Sequence, residues 1–182
     1  MIAAIETART ILRGWNDDDV ESWAQMNADP RVMEFFPSTY ARERSIASAA
    51  TMRAELERDG YGWFVVELKD RMPFAGVIAL QPVPFEARFT PAKEIGWRFL
   101  PAAWGHGYAT EAASAAMRFA FEELGWDQVV ALTARINVPS QRVMERLHMT
   151  HDPDDDFGHP RVEEGHRLHH CVLYRARATL LR

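Results

Sequence analysis

Residues 94–111 read Glu94-Ile-Gly-Trp-Arg-Phe-Leu100, then Pro101-Ala-Ala-Trp-Gly-His-Gly-Tyr-Ala-Thr-Glu111. The first half alternates. Ile95, Trp97 and Phe99 fall on one side of an extended strand, and Glu94, Gly96 and Arg98 on the other. A turn follows, and Gly105-His-Gly107 then leads into a long alanine-rich helical pattern. A strand that ends in a glycine turn and opens a helix leaves several backbone N–H groups pointing one way, at the positive end of a helix dipole. Such a turn is a seat for an anion, most often a phosphate. A nucleotide-binding P-loop requires Lys-Ser or Lys-Thr after its last glycine; Tyr108-Ala109 stands here instead. A dinucleotide turn requires a third small residue and an acid ending the next strand. Thr110 holds the third place, and Asp127 precedes its strand, so neither pattern is met.

The chain of 182 residues is long enough for one domain with a substantial core, and residues 1–182 are read as one domain. Hydrophobic content of 47% and charged content of 26% are ordinary for a soluble protein. No apolar run approaches the length of a membrane span. The opening, Met1-Ile-Ala-Ala-Ile-Glu-Thr7, has no basic flank or signal-like core. Cys171 is the single cysteine, so no intramolecular disulfide forms, which fits a reducing cytoplasm. A net charge of −5 speaks against non-specific nucleic-acid binding and is compatible with an amine substrate.

Working outward in both directions, the pattern predicts a first strand over 9–13 and a helix capped by Asp18 with Glu21 in a capping-box spacing. That helix ends at Asp29-Pro30. A second helix is expected over 41–58, with Ile46, Ala49, Ala50 and Leu56 inward and Asp59-Gly60 at its end. Two apolar runs, 63–68 and 74–80, form a hairpin. Residues 82–93 form a loop before the central strand. The helix that opens near Tyr108 runs to Leu124, with Gly125 closing it. A strand over 128–133, a helix from Asn137 to Leu147 and a last strand over 168–176 complete the chain.

Two of these stretches together resemble the GNAT N-acetyltransferases. Trp104-Gly-His-Gly-Tyr-Ala-Thr-Glu-Ala112 is similar to that family's acetyl-coenzyme A pyrophosphate loop, with Gly107 and Ala109 in its small positions and Trp104 in place of the leading Gln or Arg. This version of the loop, with Thr7-Ala-Arg9 at the opening, resembles the branch of ribosomal-protein N-terminal acetyltransferases. Asn137-x-x-Ser140-x-x-Val143-Met-Glu-Arg-Leu147-x-Met149 resembles the second coenzyme motif, with His148 where the family usually has Gly. The resemblance implies an α+β fold of α/β/α layers. It has a mixed, mostly antiparallel central sheet of about seven strands, splayed centrally, and about four helices. It implies acetyl transfer from acetyl-coenzyme A to a primary amine by direct attack in a ternary complex. The acceptor is a protein N-terminus or a small molecule, and the protein works as a monomer or homodimer.

Carried over residue by residue, the coenzyme is held by backbone around Trp104, Gly105, His106, Gly107, Tyr108, Ala109 and Thr110, and by the strand edge at Arg98, Phe99 and Leu100. A backbone N–H of Phe99 or Leu100 polarises the thioester carbonyl. Asn137 is matched to the pantetheine amide and Ser140 to the leaving sulfur; both residue types also suit plain helix capping. Arg142 and Arg146 share one helical face and meet either coenzyme phosphates or solvent. For the general base, Glu94 and His159 are the candidates, Glu94 reading equally well as a strand-end charge. Phe35, Phe36 and Tyr40 are candidate acceptor contacts, and Tyr174 reads as a core tyrosine before a leaving-group acid. His166, His169 and His170 lack a supporting carboxylate spacing, so no metal is expected. The competing class is a non-catalytic acyl-coenzyme A sensor or scaffold, which would need the coenzyme motifs but no acid–base equipment.

Overall fold

In the computed structural model, residues 3–178 are described; Met1 and Ile2, part of the opening read above for a leader, lie outside them. The elements in chain order are β1 (Ile5–Glu6), β2 (Thr10–Arg13), α1 (Asp19–Ala28), α2 (Arg42–Asp59), β3 (Trp63–Leu68), β4 (Met72–Pro82), β5 (Lys93–Phe99), α3 (Tyr108–Glu122), β6 (Gln128–Ala134), α4 (Val138–Arg146), β7 (Thr150–His151), β8 (Phe157–Gly158) and β9 (His170–Arg177). One sheet runs in the order β1-β2-β3-β4-β5-β6-β9-β7, with β8 also on β9. Every pairing is antiparallel except β5 with β6. Among the described residues there are nine strands, not about seven, because β1, β7 and β8 are two-residue strands too short for periodicity to reveal.

Alternation along β3 places the helices. Trp63 stacks edge-on against Trp23 of α1, and the next residue, Phe64, does the same with Phe119 of α3. Successive strand residues face opposite sides, so α1 and α3 cover opposite faces of the sheet. Ala112, Ala113, Ala116 and Ala120 are fully buried, which lets α3 lie close to the strands. Leu12, Phe64, Val65, Val66 and the run Ala75–Leu80 fill the centre. Each large aliphatic side chain so buried contributes about 1.5–3 kcal/mol.

Two local readings are corrected. The first concerns the cap of α1. Asp18 makes no capping bond, and Asp19 carries the work. Its carboxylate accepts from Asn16 N–H at 2.6 Å and pairs with Arg13 at 2.7 Å. Arg13 also reaches Glu67 of β3 at 2.8 Å, so the buried Asp19 joins two strands and a helix. The second concerns the face of α2. It buries Ser45, Ala49 and Leu56, while Ile46 and Ala50 stand exposed. Polar bonds rotate it: Asn27 Nδ2 donates to Ser45 Oγ and Trp23 Nε1 to Ser48 Oγ.

His148, standing where the resemblance leads one to expect Gly, lies in the left-handed region that favours glycine, with φ at 56°. The N–H of Met149 bonds back to the Met144 carbonyl at 3.1 Å, closing α4 in a left-handed turn. A left-handed seat costs an L residue roughly 1–2 kcal/mol, and a β-branched one suffers most. His148→Val is expected to lower the melting temperature by about 2–4 °C and His148→Gly to leave it level or slightly higher. An unchanged melting temperature in the valine variant would show that the turn carries no such strain.

Candidate active site

β5 and β6 part almost as soon as they meet. Each is seven residues long, yet their register is a single pair, Glu94 with Val130, at the amino-terminal end of β5. Beyond it the strands diverge, which is the splay the resemblance implies. The divergence opens into a cleft of about 800 Å³. Glu94, Arg98, Asn137, Ser140, His159, Phe35, Phe36 and Tyr40 all line it, so candidates scattered over more than a hundred residues converge on one cavity.

The antiparallel ladder decides which backbone N–H groups face this opening. Leu100 N–H donates to the Ala75 carbonyl at 2.9 Å. In an antiparallel pair, bonded and non-bonded residues alternate. With Ala75 and Leu100 bonded, Val77 and Arg98 are the next bonded pair, and Phe99 between them points its N–H to the β6 side. Leu100 and Arg98 are thus spent on β4, which removes both as backbone donors; Phe99 is the one of the three aimed into the splay. Trp104 Nε1 donates to the Phe99 carbonyl at 2.8 Å and fixes that strand end.

The turn after β5 has the form of an anion seat. Gly107 is the N-cap of α3 at φ 79° and offers no side-chain cap, so the first-turn N–H groups stay open. Arg9 secures the turn from outside. Its guanidinium donates to Glu111 Oε2 at 2.6 Å and to the His106 carbonyl at 3.0 Å, and lies over the Tyr108 ring. Thr7 Oγ1 donates to Glu111 Oε1 at 2.6 Å. Thr7-Ala-Arg9 and Glu111, which the sequence offers as separate parts of one resemblance, are therefore a single contact. Arg142 and Arg146 are exposed on α4 and, among the described residues, make no ion pair.

Asn137 caps α4, its Oδ1 accepting from Ser140 N–H at 3.2 Å while its Nδ2 donates to Thr133 Oγ1 at 2.8 Å. Ser140 is the capped residue and not the cap. It lines the cleft, and its hydroxyl has no hydrogen-bond partner among the described residues.

Glu94 is held by a chain of bonds that starts on β3. Trp63 Nε1 donates to Gln81 Oε1 at 2.8 Å, which turns Gln81 Nε2 toward Glu94 Oε2 at 3.2 Å. Burial at the cleft floor pushes the Glu94 carboxyl up to about 7, and the Gln81 bond offsets only part of that. Gln81 is the positioning residue that sequence reading missed. It lies just past the expected end of the hairpin strand, and only the cross-strand register of β4 with β5 pairs it with Glu94. His159 is placed differently. Its Nδ1 accepts from Arg161 N–H at 3.2 Å, so the neutral ring carries its proton on Nε2. Burial, then the charges of Arg161 and His169, holds it below the usual imidazole range. Tyr174 stacks on His151 at 4.8 Å and does not line the cleft.

A glycine turn opening a helix beside splayed strands, with a buried carboxyl on the cleft floor, has the form expected of an acyl-coenzyme A transferase site. Residues 9–150 match the acetyltransferase (GNAT) domain, and the chain belongs to that family of acetyl-coenzyme A-dependent N-acetyltransferases. It is 31% identical over 172 residues to FsC-acetyl coenzyme A-N(2)-transacetylase of Aspergillus fumigatus, covering 88% of this chain and 72% of that one. The fold superimposes on a GNAT-family acetyltransferase of Bacillus anthracis with a TM-score of 0.79 at 24% identity, over 97% and 99% of the two chains. It also superimposes on RimL, a ribosomal L7/L12 alpha-N-protein acetyltransferase solved with coenzyme A, with a TM-score of 0.75 at 17% identity, over 96% and 98%. At those identities the two structures speak for the fold alone.

Proposed function

We propose that the protein transfers the acetyl group of acetyl-coenzyme A to a primary amine by direct attack, both substrates being bound at once. The observation that carries this reading is the carboxyl of Glu94, raised to about 7 on the floor of the cleft the parted strands open. A base poised near the working pH is what removal of an ammonium proton needs. The amine nitrogen attacks the thioester carbon. Negative charge gathers on the carbonyl oxygen, where the Phe99 N–H stabilises it. The carbon–sulfur bond breaks, and the thiolate takes a proton through Ser140. Glu94 accepts the proton lost by the amine, directly or through one water. Phe35, Phe36 and Tyr40 form the wall on the acceptor side. The acceptor is a protein N-terminus or a small molecule met in the cytoplasm, and the protein acts as a monomer or homodimer without nucleic acid or membrane. Among the described residues no helix is long and apolar enough to cross a membrane.

The test is release of free thiol from acetyl-coenzyme A across a panel of primary amines, with initial rates over both substrates. Intersecting double-reciprocal lines are expected for a ternary complex. Thiol release that no amine accelerates would reject transfer and leave a coenzyme-binding module. Ser140→Ala is expected to lower kcat by about 10- to 100-fold, at or below the low end of the roughly 10²–10⁴-fold typical of acid–base assistance. The coenzyme KM should change less, because Asn137 and the helix cap survive. Wild-type kcat in the folded variant would leave Ser140 with no part in the chemistry.

A further inference from the structure

The charge of the cleft runs against that of the chain. Its charged lining is Arg44, Arg98 and Arg161 against Glu55 and Glu94, an excess of positive charge in a protein of net −5. Arg98 is the buried member, 8% exposed. Its guanidinium lies 4.0 Å from the Phe36 ring and 5.1 Å from the Trp23 ring. One Nη donates to Asn27 Oδ1. Nε has no partner, and among the described residues no carboxylate pairs with this cation. Burial lowers its pKa to about 10, and the Tyr40 hydroxyl beside it offsets part of that cost. Aromatic rings and one amide recover part of the desolvation cost, but a buried cation is ordinarily matched by an anion. Among the described residues no carboxylate supplies one.

The space beside Arg98 is open. Gly96 lies between it and Glu94 on the same face of β5, and a Cβ there would meet only the Ala79 methyl, at 3.9 Å. The floor therefore runs from a proton acceptor, over a smooth Gly96–Ala79 step, to an unmatched cation. We infer that the acceptor is an amine that also carries a carboxylate, its nitrogen presented on the Glu94 side and its carboxylate docked on Arg98. This rests on the acetyl-transfer reading and narrows it, against polyamines and aminoglycosides. Four steps along the strand separate the two Cα atoms by about 13 Å. Amine and carboxylate are thus several bonds apart, as in an ω-amino acid or a short peptide, and not on adjacent carbons.

The experiment compares each acceptor with its own carboxamide: triglycine with triglycinamide, and 6-aminohexanoate with its amide, in the thiol-release assay. Free acids are expected to exceed amides in kcat/KM by about 10- to 100-fold, the scale of one charge-assisted hydrogen bond. In Arg98→Met, which keeps volume and deletes charge, that ratio should collapse to about one, and Arg98→Lys should restore part of it. Equal rates on acid and amide in the wild type, or an undiminished ratio in Arg98→Met, would overturn the assignment. A second arm works without turnover and on the wild type alone. N-acetyl-triglycine should raise the melting temperature and its carboxamide should not; equal shifts, or none, would overturn the carboxylate site. If no amine is acetylated while the acid alone stabilises, the transfer reading fails and the Arg98 site stands.

Discussion

Glu94→Gln is expected to lower kcat/KM by about 10²–10⁴-fold just above neutrality, the contribution typical of a positioned base. Glutamine keeps the bond to Gln81 within reach but accepts no proton. In the wild type the carboxyl ionises near 7, so activity should climb through that pH as the base appears. In the variant this limb should vanish, leaving only the acceptor's own ionisation, about 7.7–8.0 for an α-amine and about 10.4 for a lysine. The gap between the two enzymes is widest between pH 7 and the amine pKa. Below 7 the wild-type base is itself protonated, and at high pH the amine arrives neutral. Overlaid pH profiles would remove Glu94 from the chemistry.

Stability should move the other way. A carboxyl whose folded pKa exceeds its unfolded value holds more protons when folded, so stability falls as pH rises from the unfolded value to about 7. Glu94→Gln removes that loss. It should melt higher than the wild type at pH 8 and alike at pH 4. A lower melting temperature at pH 8 would mean that Glu94 is a structural ion and not a desolvated base. Lower activity with higher stability is what a strained functional group predicts.

The sequence carried the frame well where elements were long and chemically marked. The alternation of Ile95, Trp97 and Phe99, the alanine run of α3 and the two coenzyme motifs each survived into the fold. What it could not carry depends on register and on three-dimensional neighbours. Gln81 becomes a partner of Glu94 only because β4 and β5 pair with those residues opposite. The choice of Phe99 over Leu100 follows from which ladder position is bonded to Ala75, a parity that one residue of slip would reverse. Arg98 alternates correctly in the sequence, yet nothing there shows that Trp23, Asn27 and Phe36 close around it. The capping reading placed Asp18 where Asp19 acts, because Arg13 of β2, itself paired with Glu67 of β3, draws Asp19 inward. Weak amphipathicity misled at α2, where hydroxyls of Ser45 and Ser48 turn the helix more firmly than alanine methyls do.

Gly107→Glu is expected to abolish coenzyme binding, weakening it by about a thousandfold. Two effects act together. Gly107 stands at φ 79°, where an L side chain is strained by roughly 1–2 kcal/mol, so the turn itself resists the change. With the pyrophosphate seated on that turn as proposed, the new carboxylate would also face it. Two unit charges 4 Å apart at an effective dielectric of 20 repel by about 4 kcal/mol. A Cβ at this position lies 3.6 Å from Arg9 Nη2, so the glutamate would further compete with Glu111 for the guanidinium that braces the loop. Gly107→Ala separates the causes, for it brings the strain and the crowding without the charge, and should lose far less affinity. Calorimetry with acetyl-coenzyme A on both variants, with melting curves as the check on folding, decides the matter. Unchanged affinity in folded Gly107→Glu would move the pyrophosphate away from the start of α3. Equal losses in the two variants would assign the effect to backbone geometry, and the open N–H groups of that first turn would no longer account for anion binding.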